Sequence, residues 1–166
     1  MQHPQHFELL TLRDWVRWGG SQFNEHGLFF GHGSDSALDE SLALVLHALY
    51  LDHAMSADYL DARVTGEEVK RIMQLFHERI DRRVPAAYLI GEARFAGLDF
   101  YVDENVLVPR SPIAELIEQG FSPWLDPEHV GSVLDLCTGS GCIGIAAAMH
   151  LPHARVDLAD VSEAAL

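Results

Sequence analysis

Lysine is nearly absent from this chain, since Lys70 is the only one among 166 residues. Eleven basic residues stand against twenty-five acidic ones, which gives a formal net charge of −14. Such a surface repels free nucleic acid and anionic membranes and favours a basic protein partner. Plain solubility explains the same charge equally well. The composition predicts no direct contact with nucleic acid or membrane.

Cysteine is scarce as well, and the two thiols, Cys137 and Cys142, flank a single turn. This placement predicts reduced thiols in a cytoplasmic protein. No apolar run reaches the length of a membrane span, and the amino terminus lacks the basic start and apolar core of a signal peptide. Ten histidines occur without a Cys-x-x-Cys or His-Glu-x-x-His motif, so we expect no metal site.

The most informative segment is residues 133–145, which read VLDLCTGSGCIGI. An apolar strand leads into Asp135, and a turn of small residues with Gly139, Gly141 and Gly144 follows before an apolar helix. Glycine lets the backbone approach a ligand closely, and a helix start offers unpaired N–H groups. Strand, glycine turn and helix start therefore predict a nucleotide-type site in a Rossmann-like sheet.

A second predicted strand ends at Asp160, where a carboxylate can accept both hydroxyls of a ribose. The glycine spacing also fits the dinucleotide fingerprint, so NAD is a competing ligand. Asp135 favours S-adenosyl-L-methionine, because a fixed carboxylate attracts its ammonium and sulfonium and repels the pyrophosphate of NAD. A glycine turn that merely packs a helix on a strand is the third interpretation.

Residues 1–84 show the period of amphipathic helices. Three apolar stripes carry this period, and Gly19-Gly20 weakens the middle of the first. The stripes are Leu12, Trp15, Val16 and Phe23; Leu38, Leu42, Val45, Leu46 and Leu49; and Val69, Ile72, Met73, Phe76 and Ile80. The glycine-rich residues 31–34 are expected to form a loop between the first two helices.

The third helix has clear end signals. Thr65 and Glu68 form a capping box at its start. Arg79, Arg82 and Arg83 lie at its negative end, where we expect a solvated cluster.

After residue 84 the pattern changes to a period of two, and Phe95 and Phe100 predict a hairpin that turns near Gly97. Ser111 and Pro112 predict the start of another helix, with serine as the N-cap and proline at the first helical position. The expected strand, helix and strand of the glycine-turn unit are residues 130–136, 140–149 and 155–160.

The segment before the glycine turn resembles the connector of the protein-glutamine N(5)-methyltransferases of the HemK/PrmB type. Those enzymes carry a YL-x-G-E hairpin, an F-x-G-x-x-F-x-V stretch and a PR segment, which here are residues 88–92, 95–102 and 109–110. The release-factor branch usually continues PRPETE or PRPDTE. The continuation in residues 111–115, and Cys137 where that branch usually has glycine, resemble instead the branch that methylates large-subunit ribosomal protein three.

The resemblance implies an α/β enzyme in three parts: a helical substrate-recognition domain at 1–84, a β-hairpin connector at 85–110, and an incomplete class I methyltransferase domain at 111–166. It implies S-adenosyl-L-methionine as cofactor and a basic ribosomal protein as substrate. The implied cofactor-binding residues are Asp135, Cys137, Thr138, Gly139, Ser140, Gly141 and Asp160.

The catalytic Asn-Pro-Pro-Tyr motif of the family does not occur in this sequence. We therefore expect the chain to be the front part of a longer enzyme, with no catalytic residue of its own and no activity alone. A glutamine methyltransferase of release factors, an NAD-linked oxidoreductase and a non-catalytic interaction module are the alternatives. The sequence does not indicate an oligomeric state.

Overall fold

The computed structural model describes residues 9–31, 34 and 36–165, which include both helices and strands, as the predicted α/β class requires. The chain divides into two compact units, Met1–Ile90 (unit 1) and Gly91–Leu166 (unit 2). The predicted loop at residues 31–34 includes His32 and Gly33, which lie outside the described residues. The three-part division of the chain stays a prediction.

Unit 1 is helical, as its apolar period predicts. Its described part contains four α-helices, namely α1 (Leu12–Glu25), α2 (Ala37–Ala48), α3 (Gly66–Asp81) and α4 (Ala86–Ile90), and a 3-10 helix at Ala57–Asp61. The predicted capping box is confirmed: Glu68 donates its backbone N–H to the Thr65 hydroxyl and accepts the Thr65 N–H. Thr11 and Asp14 form a second capping box at the start of α1.

The Gly19-Gly20 pair does not weaken α1, contrary to the sequence expectation, because both glycines are buried inside a continuous helix. A Cβ atom at Gly19 would collide with the Ser41 hydroxyl and the Phe76 ring, and one at Gly20 would lie 2.8 Å from a methyl group of Leu38. Glycine therefore allows α1 to approach its neighbours closely, which outweighs its poor helix propensity.

An ion pair sits in the helical core where the sequence predicted a solvated helix end. Arg79 donates from Nε to Glu40 Oε1 at 2.6 Å, and the two residues are only 6% and 4% exposed. Leu38, which the stripe placed in the core, is 52% exposed instead. Helix α2 therefore turns Glu40, and not Leu38, toward the core. A carboxylate is stable in such a buried position only with a partner, which here is Arg79.

Unit 2 begins with the predicted hairpin. Strands β1 (Glu92–Phe95) and β2 (Leu98–Tyr101) pair in antiparallel register, and a two-residue turn joins them. Ala96 and Gly97 have φ angles of 46° and 75°, the left-handed pair that a type I′ turn requires. The hairpin turn at Gly97 is thus confirmed.

The next helix, α5, spans Ile113–Glu118, one residue later than the predicted start. Pro112 occupies the cap position, while the Ser111 hydroxyl accepts the backbone N–H of Ile113. Ile117 is fully buried and belongs to a core cluster with residues from the hairpin and from the following helix. The buried members of this cluster are Phe95, Phe100, Ile117, Cys142 and Ala146.

A parallel strand pair with one helix completes unit 2. Strand β3 (Ser132–Leu136) lies beside β4 (Arg155–Ala159), and α6 (Cys142–His150) connects them. Each element begins or ends one or two residues away from its predicted limit. Leu134 and Leu136 point to the sheet face opposite Asp135 and are 63% and 69% exposed. Two large apolar side chains are therefore exposed on this face of the strand pair, beside the ion pair of Arg155 and Asp157.

Ion pairs on the surface are mostly local. Lys70 donates to Glu67 at 2.7 Å near the start of α3, and both side chains remain largely exposed. Arg13 pairs with Asp61 at 2.8 Å. Exposed pairs of this kind contribute little to stability, because solvent screens both charges. Within the described residues, no helix combines the length and apolarity needed to cross a membrane.

We expect Gly19→Ala to destabilise unit 1 by about 1–3 kcal/mol, because the added methyl group overpacks the contact with Ser41 and Phe76. Gly66→Ala is the matched control, since a Cβ there meets nothing within 4 Å. The control should stay within about 1 kcal/mol of the parent, on the stable side. Urea denaturation measures both, and equal stability of the two variants would contradict the close-packing role.

Candidate functional site

The carboxyl ends of β3 and β4 lie side by side, which brings the predicted site residues together. The main-chain N–H groups of Cys137 and Thr138 both donate to the carbonyl of Ala159, at 2.8 and 3.1 Å. Ligands of open α/β sheets bind at this end of the strands. The turn that follows β3 is therefore anchored on the residue that precedes Asp160.

The turn is built from left-handed backbone. Cys137, Gly139 and Gly141 have φ angles of 62°, 55° and 75°. Glycine adopts this region without strain, whereas Cys137 is one of the few side-chain-bearing residues that do. Gly141 is also the N-cap of α6 and offers no side chain to the first helical N–H groups. The helix start is thus open toward the turn.

Hydrogen bonds to Asp135 link β3 to the turn that follows it and to the start of α6. Its Oδ2 atom accepts a hydrogen bond of 2.6 Å from the Thr138 hydroxyl and one of 2.9 Å from the Gly144 N–H. A Cβ at Gly144 would collide with Leu158 of β4 and lie 3.1 Å from Asp135. The third glycine of the motif therefore serves close helix–strand packing rather than ligand approach.

Asp160 binds the turn from the neighbouring strand. Its Oδ2 accepts the N–H of Gly139 at 2.8 Å, and its Oδ1 accepts the N–H of Ser162 at 2.9 Å. These two backbone donors, Ser162 first, hold the pKa of the Asp160 carboxyl below its ordinary value of 3.8. Asp160 therefore remains a carboxylate at neutral pH, with acceptor capacity left on both oxygens.

The structure thus joins Asp135, Thr138, Gly139 and Asp160 in one hydrogen-bonded loop, and Gly141 lies at its helical end. The sequence placed Gly144 in the glycine motif but not among the cofactor-binding residues, and Ser162 was not predicted to take part at all. The signal for Ser162 was present, because an aspartate commonly accepts the N–H two residues later.

The two cysteines have different surroundings. Cys137 is exposed at the turn, whereas Cys142 is buried beside Phe95 and Ile117 and makes a hydrogen bond with Ser140. Burial raises the pKa of the Cys142 thiol above its ordinary value, against the lowering that a helix start alone would give. Cys142 is therefore a packing residue and not an activated nucleophile.

Among the described residues, no three histidine, cysteine, aspartate or glutamate side chains form a cluster that could hold a metal ion. The polar groups at the site are carboxylates, a hydroxyl and main-chain N–H groups. In this α/β protein they lie at the carboxyl ends of two adjacent parallel strands, where ligands of open α/β sheets generally bind.

Proteins of similar sequence indicate which family of α/β proteins this chain resembles. No protein-family model matches the chain. It is 57% identical to the ribosomal protein uL3 glutamine methyltransferase of Xanthomonas campestris pv. campestris, over 159 residues and 96% of its length. It is 54% identical to the enzyme of that name from Xylella fastidiosa (strain Temecula1), over 96% of its length, and 50% identical to the one from Bordetella pertussis, over 100%.

The alignments cover 52%, 51% and 56% of those relatives, so the chain spans about half the length of the curated relatives it matches. At this identity over nearly the whole chain, the protein is a homologue of the ribosomal protein uL3 glutamine methyltransferases. The resemblance inferred from residues 85–121 is thereby confirmed.

The cysteines offer a direct test of the turn geometry. At pH 8, iodoacetamide should alkylate Cys137 rapidly and Cys142 slowly, because the second thiol is buried and its pKa is raised. Raising the pH should accelerate the reaction of Cys142, since the thiolate fraction grows. Peptide mass spectrometry over time measures both rates, and Cys142→Ala identifies the signal. Equal rates at the two thiols in the folded chain would contradict the burial of Cys142.

Proposed function

We propose that this chain supplies the methyl-donor site of an S-adenosyl-L-methionine-dependent protein-glutamine methyltransferase that acts on a ribosomal protein. The observation that carries the proposal is the hydrogen-bonded loop of Asp135, Thr138, Gly139 and Asp160 at the ends of two parallel strands. Relatives that carry the name ribosomal protein uL3 glutamine methyltransferase support the reaction class.

The residues of the loop fit S-adenosyl-L-methionine. Asp160 has acceptor capacity for ribose hydroxyls, and the Asp135 carboxylate attracts a positively charged ligand. The same carboxylate would repel the pyrophosphate of NAD, which argues against that ligand. Cys137, Ser140 and Gly141 would line the methionine part of the ligand. The cofactor would supply an electrophilic methyl group.

The receiving atom is an amide nitrogen, which is a poor nucleophile because its lone pair is delocalised into the carbonyl. Methyl transfer therefore requires acceptors that orient the amide and favour charge development on nitrogen. In the family these acceptors come from the Asn-Pro-Pro-Tyr motif, which this sequence does not contain. We therefore infer that the chain alone binds the methyl donor without transferring its methyl group.

The two exposed leucines of the strand pair agree with this inference. Parallel strands are normally covered on both faces, and α6 covers only the face with Asp135. Leu134 and Leu136 on the other face are more than half exposed. We propose that β3, α6 and β4 belong to a larger Rossmann-like sheet whose other elements cover these leucines.

The charge distribution favours a basic protein substrate, and we propose that the enzyme meets it in the cytoplasm. Unit 2 contains three basic and twelve acidic residues, whereas unit 1 contains eight and thirteen. The methyl-donor unit is therefore the more negative of the two, and it would attract a ribosomal protein rather than free nucleic acid. Residues 111–115 and the names of the relatives favour ribosomal protein uL3 over release factors.

We expect S-adenosyl-L-homocysteine to shift the amide resonances of Gly139 and Ser162 in an NMR titration of the 166-residue chain. Asp160→Asn should weaken this binding by about tenfold, because it removes a charged acceptor. Asp157→Asn is the matched control, since Asp157 lies on β4 three residues before Asp160, and within the described residues its side chain pairs only with Arg155. The control should bind like the parent.

Tight binding of NADH without any binding of S-adenosyl-L-homocysteine would overturn the cofactor proposal. The same preparation should transfer no methyl group to ribosomal protein uL3. Measurable glutamine methylation by residues 1–166 alone would contradict the inference that the amide-orienting groups lie outside this chain.

We also expect association with ribosomal protein uL3 to slow as salt rises, because screening shortens the range of charge attraction. At low salt, Glu104→Gln in unit 2 should reduce the association rate by about twofold. Asp58→Asn in unit 1 is the charge-matched control and should have a smaller effect. Stopped-flow mixing measures these rates, and a rate that does not change with salt would show that the charge serves solubility alone.

A further inference from the structure

Unit 1 contains a cavity of about 370 Å³ that takes no part in the methyl-donor site. A volume of this size falls in the range of small-molecule sites, about 300–1,000 Å³. Its wall includes Leu28, Phe29, Glu40, Arg79, Arg83 and Ala86. The cavity therefore combines apolar side chains with three charged ones.

The inner charges of the cavity are buried. Arg79 and Glu40 are more than nine-tenths buried, and Arg79 donates from Nε to Glu40 and from Nη2 to the carbonyl of Phe29, at 2.6 and 3.0 Å. These bonds use two of the five N–H groups of a guanidinium. A fixed cation with further donor capacity thus lines a space large enough for a ligand.

Arg83, the outer cation of the cavity, has a backbone conformation that glycine adopts more easily. Arg83 follows the C-cap of α3 with a φ angle of 59°, a position that glycine usually occupies at helix ends. Its Nη2 donates to the carbonyl of His26 at 2.9 Å, which fixes the exposed side chain at the cavity. An arginine kept in left-handed backbone indicates that its side chain has a use at this place.

We propose that this cavity binds a carboxylate carried on a short apolar stem. Two arginines against one glutamate give its wall a net positive charge, in a chain whose total is −14. Arginine is suited to carboxylates because its planar fork donates two parallel hydrogen bonds. Leu28, Pro85 and Ala86 provide an apolar wall for the stem. The proposal does not depend on the methyl-transfer function.

The test is an NMR titration of the whole 166-residue chain with butyrate, and with butyramide as the uncharged control. Butyrate should produce saturable shifts at the amides of Phe29, Arg83 and Ala86, and butyramide should not. Arg83→Gln should weaken butyrate binding by up to about fivefold, as expected for one charged contact at an exposed rim. Arg82→Gln is the matched control, because Arg82 pairs with Glu78 and does not line the cavity.

Arg79 is not a suitable first variant, since its removal would leave Glu40 buried without its partner. Ala86→Leu is a second variant that fills the cavity and keeps every charge, and it should also abolish the butyrate shifts. Equal shifts with butyramide, equal effects of Arg82→Gln and Arg83→Gln, or no saturation with butyrate would overturn the proposal. A peptide with a free terminal carboxylate that binds more tightly than butyrate would identify a protein ligand, and equal affinity would identify a free small carboxylate.

Discussion

One carboxylate oxygen, Oδ2 of Asp135, holds together the turn on which the proposed methyl-donor site depends. It accepts from the Thr138 hydroxyl within the turn and from the Gly144 N–H in the first turn of α6. Leu158 leaves no room for a side chain at Gly144, so glycine allows α6 to pack closely on β4. Asp160 then joins the turn to the end of β4, so that the groups of the proposed site are oriented by the protein's own hydrogen bonds.

In unit 1, buried polar contacts between helices determine how the helices pack. Glu40 and Ser41 are buried neighbours on α2; the first pairs with Arg79, and the second donates to the carbonyl of Val16 at 2.9 Å. Each polar contact joins α2 to another helix, so a shift of α2 by one residue would strand both groups without partners. The apolar stripe alone would allow such a shift.

The local features of the fold were predictable because their causes are local. The capping box at Thr65 and the hairpin turn at Gly97 follow from neighbouring residues. The pairing of Glu40 with Arg79 joins residues 39 positions apart. It could not be predicted from the sequence, because periodicity reports only on neighbouring residues. The start of α6 at Cys142 was missed because it depends on Gly141 at φ 75°, an angle incompatible with a right-handed helix.

The lone lysine has a practical consequence for handling the protein. Lys70 is exposed beside Glu67 on α3, and unit 2 contains no lysine at all. Within residues 1–166, amine-directed reagents therefore have a single lysine target, Lys70 in unit 1. A fluorophore or surface tether placed in this way leaves every side chain of residues 91–166 chemically unchanged, including those of the glycine turn.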